Sequence, residues 1–351
     1  MTADRQAPRL VLAPLKGFTD AVFRNTFAEH FGGFDSAMAP FVATVAADRL
    51  TDKHVRDLLP HQNTRMPIEP QILGNAAEDF IFLARRLSDM GYPDVNWNLG
   101  CPFRPVTKKR RGSGLLPFPE QVDEFLSKTL PAIPGRLSIK MRLGRNTPDE
   151  ILRLLPILDR YPLKAITIHP RTARQMYGGA PDLDAFQACL DQSRHPIIYN
   201  GDIADRRGFL ALEDRFPRVA AWMIGRGALS NPFLPAAIKN GGVMVTGQGE
   251  KFKFFYESHR QHLRIKGETM KYIPRDTEFV GKDLIPVTKE GLIEELKILE
   301  KELRDIRLNT KKPFEKHCCT QWQKLVDRKQ KLEDKLRLFN VLNCKKKQVK
   351  P

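Results

Sequence analysis

The chain has 351 residues, of which 41% are apolar, and its formal net charge at pH 7 is +17. This length is enough for one large domain and a smaller one, and no apolar run approaches the roughly 18 residues that a membrane helix needs. The five cysteines stand at irregular positions and do not form a disulfide framework. The composition therefore excludes a membrane-spanning or disulfide-stapled protein, and we expect a protein of the reducing cytoplasm.

The positive charge is densest in residues 241–351, and the pI of the chain is about 9.7. This balance favours a polyanionic partner, with nucleic acid first and an anionic membrane surface second. A charged helical surface in contact with water would give the same excess, so charge alone does not identify the partner. The pair Cys318 and Cys319 beside His317 lacks the spacing of a zinc site, and we predict no bound metal.

Short apolar runs alternate with helical patterns over residues 1–240, for example the helical patterns at 80–87 and 150–155. Strands that are buried on both faces read as continuous apolar runs, and their alternation with helices indicates parallel pairing. Eight such units match the size of an α/β protein of the (β/α)8 TIM barrel class. An open, doubly wound sheet is disfavoured because no Gly-x-Gly-x-x-Gly turn follows the first run. The predicted strands are 10–13, 36–41, 68–73, 94–101, 137–143, 165–169, 196–201 and 221–225.

Residues that can do chemistry close six of the eight predicted strands. Barrel enzymes build their active sites at the carboxyl ends of the strands. The pattern therefore predicts a functional site at this rim. In chain order the residues are Gln71, Asn98 with Cys101, Lys140 with Arg142, His169 with Arg171, Asn200 with Gly201 and Asp202, and Gly225 with Arg226 and Gly227.

Cys101 and Lys140 are the most informative of these residues. Cys101 stands between a glycine and a proline at the end of a strand, although a buried structural cysteine would also fit there. Lys140 lies between apolar neighbours in a buried strand, where an ammonium group needs a partner. Glycines after the seventh and eighth strands are placed where barrels bind phosphate. A phosphate-bearing cofactor with an electron-rich ring over Lys140 fits this pattern, and flavin mononucleotide (FMN) is the candidate.

Nine short motifs occur in the order found in one enzyme family, over about residues 8–240. Singly they are weak signals, but together they are specific. On these motifs the chain resembles the flavin-dependent tRNA-dihydrouridine synthases. The motifs are APLKGFTD (13–20), EPQILG (69–74), NLGCP (98–102), GSGLL (112–116), KMRLG (140–144), HPRT (169–172), YGG (177–179), NGDI (200–203) and GRGA (225–228).

This resemblance implies a barrel that holds FMN, takes electrons from NADPH and reduces the C5–C6 double bond of uridines in tRNA. Cys101 would be the general acid that protonates C5, a role that suits a thiol with a reference pKa near 8.5. The resemblance places the cofactor on Pro14, Gln71 and Lys140 at the ring and on His169, Asn200, Gly201, Gly225 and Arg226 at the ribityl-phosphate tail, with Asp202 beside them. It places Asn98, Arg171 and Tyr177 near the flipped uridine.

The alternative function is that of another FMN-dependent barrel oxidoreductase, acting on a small pyrimidine such as dihydroorotate. The basic composition and the Cys101 loop favour tRNA. Two departures from the family pattern add positive charge: Lys16 stands where an acidic residue is usual, and the run 108–111 of lysines and arginines follows Cys101. We expect this run to contact tRNA phosphates, since it lies beside the predicted mouth.

The resemblance fades after about residue 240. We predict a barrel domain over 8–240, a glycine-rich linker at 241–250, a helical region at 251–342 and a disordered basic tail at 343–351. Leucines spaced by three and four residues predict two amphipathic helices that form a hairpin in the helical region. Charge makes this region a candidate tRNA-binding domain; a self-association module and an unrelated appended sequence are the alternatives.

Overall fold

The computed structural model describes residues 7–46 and 49–242, together with 251, 254, 255 and 257–259. The chain divides into two units, Met1–Arg275 and Asp276–Pro351, and the second unit lies outside the described residues. Within the described ranges, no helix is long and apolar enough to cross a membrane.

Short strands alternate with helices along the described chain, as the sequence predicts. The strands are β1 (Leu10–Leu12), β2 (Ser36–Met38), β3 (Val42–Ala43), β4 (Ile68–Glu69), β5 (Gln71–Leu73), β6 (Asp94–Leu99), β7 (Arg136–Gly144), β8 (Ile166–Thr172), β9 (Ile197–Tyr199) and β10 (Ala221–Ile224). The helices are α1 (Ala21–His30), α2 (Asp52–Val55), α3 (Ala77–Asp89), α4 (Arg104–Thr107), α5 (Pro119–Thr129), α6 (Glu150–Leu158), α7 (Leu183–Gln192), α8 (Arg206–Arg215), α9 (Arg226–Ser230) and α10 (Leu234–Lys239).

The strands form one parallel sheet in the order β3-β5-β6-β7-β8-β9-β10-β1-β2-β4. β2 lies within the predicted strand 36–41, whereas β3 begins one residue after that strand was predicted to end. β4 and β5 are two parts of the predicted strand 68–73. Because β2 pairs with β4 and β3 pairs with β5, the order returns on itself and closes a barrel. Pro70 separates β4 from β5, since proline has no N–H to donate to a ladder. The prediction of a (β/α)8 barrel is confirmed.

Alternate residues of the long strands face opposite sides of the sheet. In β6 the outward residues Val95, Trp97 and Leu99 join the main apolar core, and the Trp97 ring stacks on Phe125 of α5 with centroids 4.0 Å apart. The residues between them are polar and buried, and they line the lumen. β7 and β8 follow the same alternation. A second apolar cluster fills the other side of the lumen and consists of Val11, Ala13, Met38, Ala221 and Met223.

Aspartates begin three of the helices that cover the barrel. The side chains of Asp20, Asp182 and Asp205 accept hydrogen bonds from backbone N–H groups in the first turns of α1, α7 and α8. Such caps satisfy N–H groups that have no partner inside the helix.

The packing of the first unit continues beyond residue 240, where the predicted barrel domain ends. Phe255 is buried, and its ring centroid lies 4.9 Å from that of Phe31 and 5.9 Å from that of Phe23 in α1. The leucine stripes of the predicted hairpin and the basic tail lie outside the described residues, so the domain boundaries there stay predictions.

Candidate active site

Side chains from neighbouring strands converge at the C-terminal mouth of the lumen. Asn98 of β6 pairs in register with Lys140 of β7, and Arg142 pairs with His169 of β8. The structure therefore brings these predicted residues together beside Cys101, which follows β6. Arg142 is among the strand-end residues of the predicted rim, although the family resemblance assigns it no role. Its signal in the sequence is its place two residues after Lys140, on the same face of the strand.

Backbone and side-chain contacts on both sides of Cys101 fix its loop. The Cys101 N–H donates to Asn98 Oδ1 at 2.9 Å, and the Cys101 carbonyl accepts from Ser113 N at 3.1 Å and from Ser113 Oγ at 2.9 Å. Gly112 has φ of +57° and packs so closely that an added Cβ would lie 2.8 Å from the Cys101 carbonyl oxygen. The loops after β6 and before α5 thus hold each other.

The thiol of Cys101 remains protonated at neutral pH. Burial raises its pKa, while a backbone hydrogen bond from Phe103 and the charges of Lys16, Arg142 and Lys140 lower it by less. A protonated thiol with cations nearby can give up its proton, because those cations stabilise the thiolate that results.

Several cationic groups lie close together at the mouth, and among the described residues no carboxylate pairs with Lys140. Burial, followed by the charge of Arg142, lowers the pKa of Lys140 to about 7. Burial lowers the pKa of Arg142 to about 10, and burial with the same cations keeps the pKa of His169 well below its ordinary value, so its imidazole is neutral. A desolvated ammonium without an acidic partner favours an anionic ligand at this position.

Arg142 connects the loop that carries Cys101 to the end of β8. Its Nε donates to the Gly100 carbonyl at 3.1 Å and its Nη1 to the Thr172 carbonyl at 2.8 Å. The guanidinium also lies 5.4 Å from the centroid of the Tyr177 ring. A single buried cation therefore positions three segments of the mouth.

Pro14 lies in the loop after β1, and Gln71 is the first residue of β5. The loop that contains Pro14 is held by Thr19, whose Oγ1 accepts from Leu15 N at 2.8 Å and donates to the Ala13 carbonyl at 3.1 Å. Gln71 is buried, and its Oε1 accepts from Asn98 Nδ2 at 2.7 Å. Gln71 and Asn98 therefore orient each other.

Arg171 is 1% exposed and is committed to contacts inside the protein. It donates to both carboxylate oxygens of Asp202, at 3.1 and 2.7 Å, and to the carbonyls of Gly178 and Gly179. Asp202 also accepts from Arg226. Arg171 and Asp202 thus anchor the loop after β8. They influence the mouth through Tyr177, which this loop carries.

Tyr177 extends from this loop and is 38% exposed. Its ring is contacted by two guanidinium groups, with that of Arg226 at 5.2 Å from the centroid. The Tyr177 ring therefore lies at the mouth, next to the guanidinium groups of Arg142 and Arg226.

The glycines after β9 and β10 stand where the backbone packs so closely against neighbouring side chains that a Cβ would not fit freely. An added Cβ at Gly201 would lie 2.1 Å from the Tyr199 hydroxyl, and one at Gly225 would lie 3.2 Å from Ala13 Cβ. Asn200 donates from Nδ2 to the Met223 carbonyl at 2.9 Å, which ties β9 to β10. Gly225 begins α9, whose first N–H groups have no acceptor inside the helix.

These residues fit a flavin with a phosphate tail. The unmatched ammonium of Lys140 suits the electron-rich edge of the ring, and the glycine turns after β9 and β10 with the start of α9 suit a phosphate group. In the described part of the chain, no group of three or more metal-ligating side chains occurs. A closed parallel barrel with a desolvated lysine and a protonated thiol at its mouth is compatible with a flavin-dependent oxidoreductase.

The comparisons with known proteins identify the family. The dihydrouridine synthase family model matches residues 11–274, so the chain belongs to the dihydrouridine synthase family. The protein is therefore a flavin-dependent oxidoreductase that acts on a carbon–carbon bond.

Curated relatives are similar over most of their length. The chain is 30% identical to tRNA-dihydrouridine synthase B of Pasteurella multocida, over 64% of this chain and 67% of that protein. It is 31% identical to tRNA-dihydrouridine synthase B of Proteus vulgaris, over 64% and 69%. It is 29% identical to a probable tRNA-dihydrouridine synthase of Rhodobacter capsulatus, over 74% and 81%.

A solved structure of morphinone reductase in complex with tetrahydroNAD shares the fold. It aligns with a TM-score of 0.50 and 12% identity over 79% of this chain and 95% of that chain. At this identity the likeness supports the barrel architecture and carries no argument about the substrate.

Proposed function

We propose that the protein reduces the C5–C6 double bond of specific uridines in tRNA, with FMN as cofactor and NADPH as reductant. The observation that carries this proposal is the placement of the Cys101 thiol at the mouth of the barrel, where the charges of Lys140 and Arg142 act on it, in a member of the dihydrouridine synthase family. The names of the similar curated proteins support tRNA as the substrate. Their chemistry takes place where tRNA is made and used, so we propose a cytoplasmic location.

Three residues would hold the flavin ring, and five would hold its tail with Asp202 beside them. Lys140 would neutralise the ring edge that becomes anionic on reduction, while Pro14 and Gln71 would contact the ring from β1 and β5. Gly201 and Gly225 would let the backbone approach the phosphate, and Arg226 would offer a guanidinium held in place by Asp202. His169 and Asn200 would complete the tail site.

When bound, the reduced flavin supplies a hydride to C6 of the uracil. Cys101 donates its proton to C5, and its sulfur becomes a thiolate. Lys140, Arg142 and Lys16 lower the pKa of this thiol through their charges, so they stabilise the thiolate as it forms. The neutral imidazole of His169 adds no competing acid at neutral pH.

The substrate would enter from the side of the Cys101 loop. A uridine within folded tRNA must leave its stack to reach the site, and we propose that Asn98 and Tyr177 contact the flipped base. Arg171 would act by holding the loop that carries Tyr177. The basic run 108–111 beside the mouth would contact tRNA phosphates, and the region 251–342 would contribute to tRNA binding.

The test is reduction of unmodified tRNA by the purified full-length protein with NADPH, followed by mass analysis of the nucleosides. We expect Cys101→Ala to bind flavin and tRNA but to lose at least about 100-fold in turnover, since a general acid contributes about that much. Cys189→Ala is the matched control, because Cys189 is a buried thiol on α7 in the apolar core.

Three outcomes would contradict the proposal. A protein that cannot be reconstituted with flavin would refute the cofactor assignment, and full turnover in Cys101→Ala would refute the acid assignment. Reduction of a free pyrimidine such as orotate in place of tRNA would favour the alternative function. If tRNA is the substrate, nucleoside analysis of tRNA from a strain that lacks the gene will identify which uridine is reduced.

A further inference from the structure

A continuous chain of hydrogen bonds crosses the polar side of the barrel lumen. At its lower end, Glu69 Oε1 accepts from Lys164 Nζ and from Ser138 Oγ, both at 3.0 Å. Ser138 Oγ in turn accepts from Asn96 Nδ2 at 2.6 Å. These residues come from β4, β7, β6 and the segment before β8, so the chain spans adjacent strands of the sheet.

The upper part of the chain reaches the backbone of the Cys101 loop. Gln71 Nε2 donates to Asn96 Oδ1 at 2.7 Å, and Asn98 Nδ2 donates to Gln71 Oε1 at 2.7 Å. Asn98 Oδ1 then accepts from Gly100 N at 3.1 Å and from Cys101 N at 2.9 Å. Hydrogen bonds therefore connect the backbone of the Cys101 loop to the Glu69 carboxylate at the base of the barrel.

The two ends of this chain decide the orientation of every amide between them. A carboxylate such as Glu69 only accepts hydrogen bonds, and the backbone N–H groups of Gly100 and Cys101 only donate them. Ser138 must therefore donate to Glu69 and accept from an N–H, and the three amides of Asn96, Gln71 and Asn98 satisfy all their neighbours in one direction only. A flipped amide would place two donors or two acceptors against each other inside the lumen.

The barrel fold does not require polar residues here. An apolar cluster of Val11, Ala13, Met38, Ala221 and Met223 adjoins the amide chain, and Met38 Sδ accepts a hydrogen bond from Gln71 Nε2 at 3.1 Å, so apolar side chains are compatible with this interior. Buried amides cost free energy unless every group is paired. Their presence on the side below Cys101 and Gln71 therefore points to a role at the mouth.

We infer that Ser138 and Glu69 are positioning residues for the catalytic mouth. They set the direction of the amide chain, and through it they fix which atoms Gln71 and Asn98 present and where the Cys101 backbone lies. Neither residue reaches the mouth itself. The effect on turnover rests on the proposed function, whereas the effect on the order of the Cys101 loop does not.

The experiment compares two deletions of a hydroxyl inside the same lumen. Ser138→Ala removes the link between Glu69 and Asn96. Thr167→Val is the matched control. Thr167 lies on β8, where it pairs with Lys140 of β7, and its buried Oγ1 has no hydrogen-bond partner among the described residues. Glu69→Gln is a second variant, which keeps the shape of the side chain but can donate as well as accept.

The readouts are kcat and KM for tRNA, the absorbance spectrum of the bound flavin, and the rate of alkylation of Cys101 by iodoacetamide, followed on the peptide that contains it. We expect Ser138→Ala to lower kcat roughly tenfold with KM nearly unchanged, since small displacements of reacting groups cost at least this much. The alkylation rate should change by about fivefold, the equivalent of one hydrogen bond. Glu69→Gln should change both in the same direction, and Thr167→Val should match the wild type.

Two results would overturn the inference. The first is a Ser138→Ala protein whose kcat and Cys101 alkylation rate match those of Thr167→Val. The second is an equal loss in both variants, which would show a general response of the lumen to lost hydroxyls. If the wild type reduces no tRNA, the alkylation rates still decide the matter, so failure of the proposed function is distinguishable from failure of this inference.

Discussion

Gly112 gives a sharp test of how the loops hold Cys101. Its φ of +57° lies in the left-handed region, and an added Cβ would lie 2.8 Å from the Cys101 carbonyl oxygen and 3.0 Å from Cys101 Cβ. For Gly112→Ala, the backbone term costs about 1–2 kcal/mol and the close contact adds about 1–3 kcal/mol. We therefore expect the free energy of unfolding to fall by about 2–5 kcal/mol. Because the clash pushes on Cys101 itself, turnover should fall by roughly 10- to 100-fold.

Gly32→Ala is the matched control for this prediction. Gly32 has φ of +65°, and an added Cβ there would have nothing within 4 Å, so this variant carries the backbone cost without the clash. Urea unfolding and tRNA reduction are measured for both proteins. If the two variants lose the same stability and Gly112→Ala keeps wild-type turnover, then the loop does not position Cys101 as described.

Two further predictions concern the mouth. Burial lowers the pKa of Lys140 to about 7 in the folded protein, against about 10.4 in an unfolded chain, so the unfolded state binds more protons between these two pH values. The free energy of unfolding of the flavin-free protein should therefore rise with pH across this window, by at most about 1.4 kcal/mol per pH unit. Lys140→Met should remove this slope when urea unfolding is measured from pH 7 to 10. Phe103 is 57% exposed and follows Cys101 by two residues. Phe103→Ala should therefore raise KM for tRNA by about fivefold or more through lost base stacking, with flavin affinity unchanged. Phe82, which is 41% exposed on α3, is the control, and Phe82→Ala should leave KM unaltered.

The sequence predicts the barrel well because strands buried on both faces leave a simple pattern. The eight apolar runs correspond to the strands of the closed sheet, and the helical patterns at 80–87 and 150–155 lie within α3 and α6. The break at Pro70 and the extension of β8 to Thr172 depend on local pairing that periodicity does not record. The sequence pattern ended this strand at residue 169, so it did not show that Arg171 lies within the ladder.

The sequence pattern names the residues of the candidate site but not the contacts between them. Motifs and strand ends located Cys101 and Lys140, because such residues are unusual where they stand. No pattern in the chain shows that Asp202 holds two arginines, or that Glu69 and Ser138 meet inside the lumen, since these contacts join residues far apart in sequence. They depend on the register between strands, which only the folded barrel provides.

The lumen of this barrel has two sides with different tolerance to change. On the apolar side, contact depends on volume, so residues of similar size should exchange there with small effects. On the amide side, each residue must match the donors and acceptors of its neighbours, and a change at one position is acceptable only with compensating changes at the next. Laboratory evolution of this enzyme should therefore collect single substitutions on the side of β1 and β10. Coupled substitutions should occur on the side of β5, β6 and β7 and at Met38 of β2, whose Sδ accepts a hydrogen bond from Gln71 Nε2.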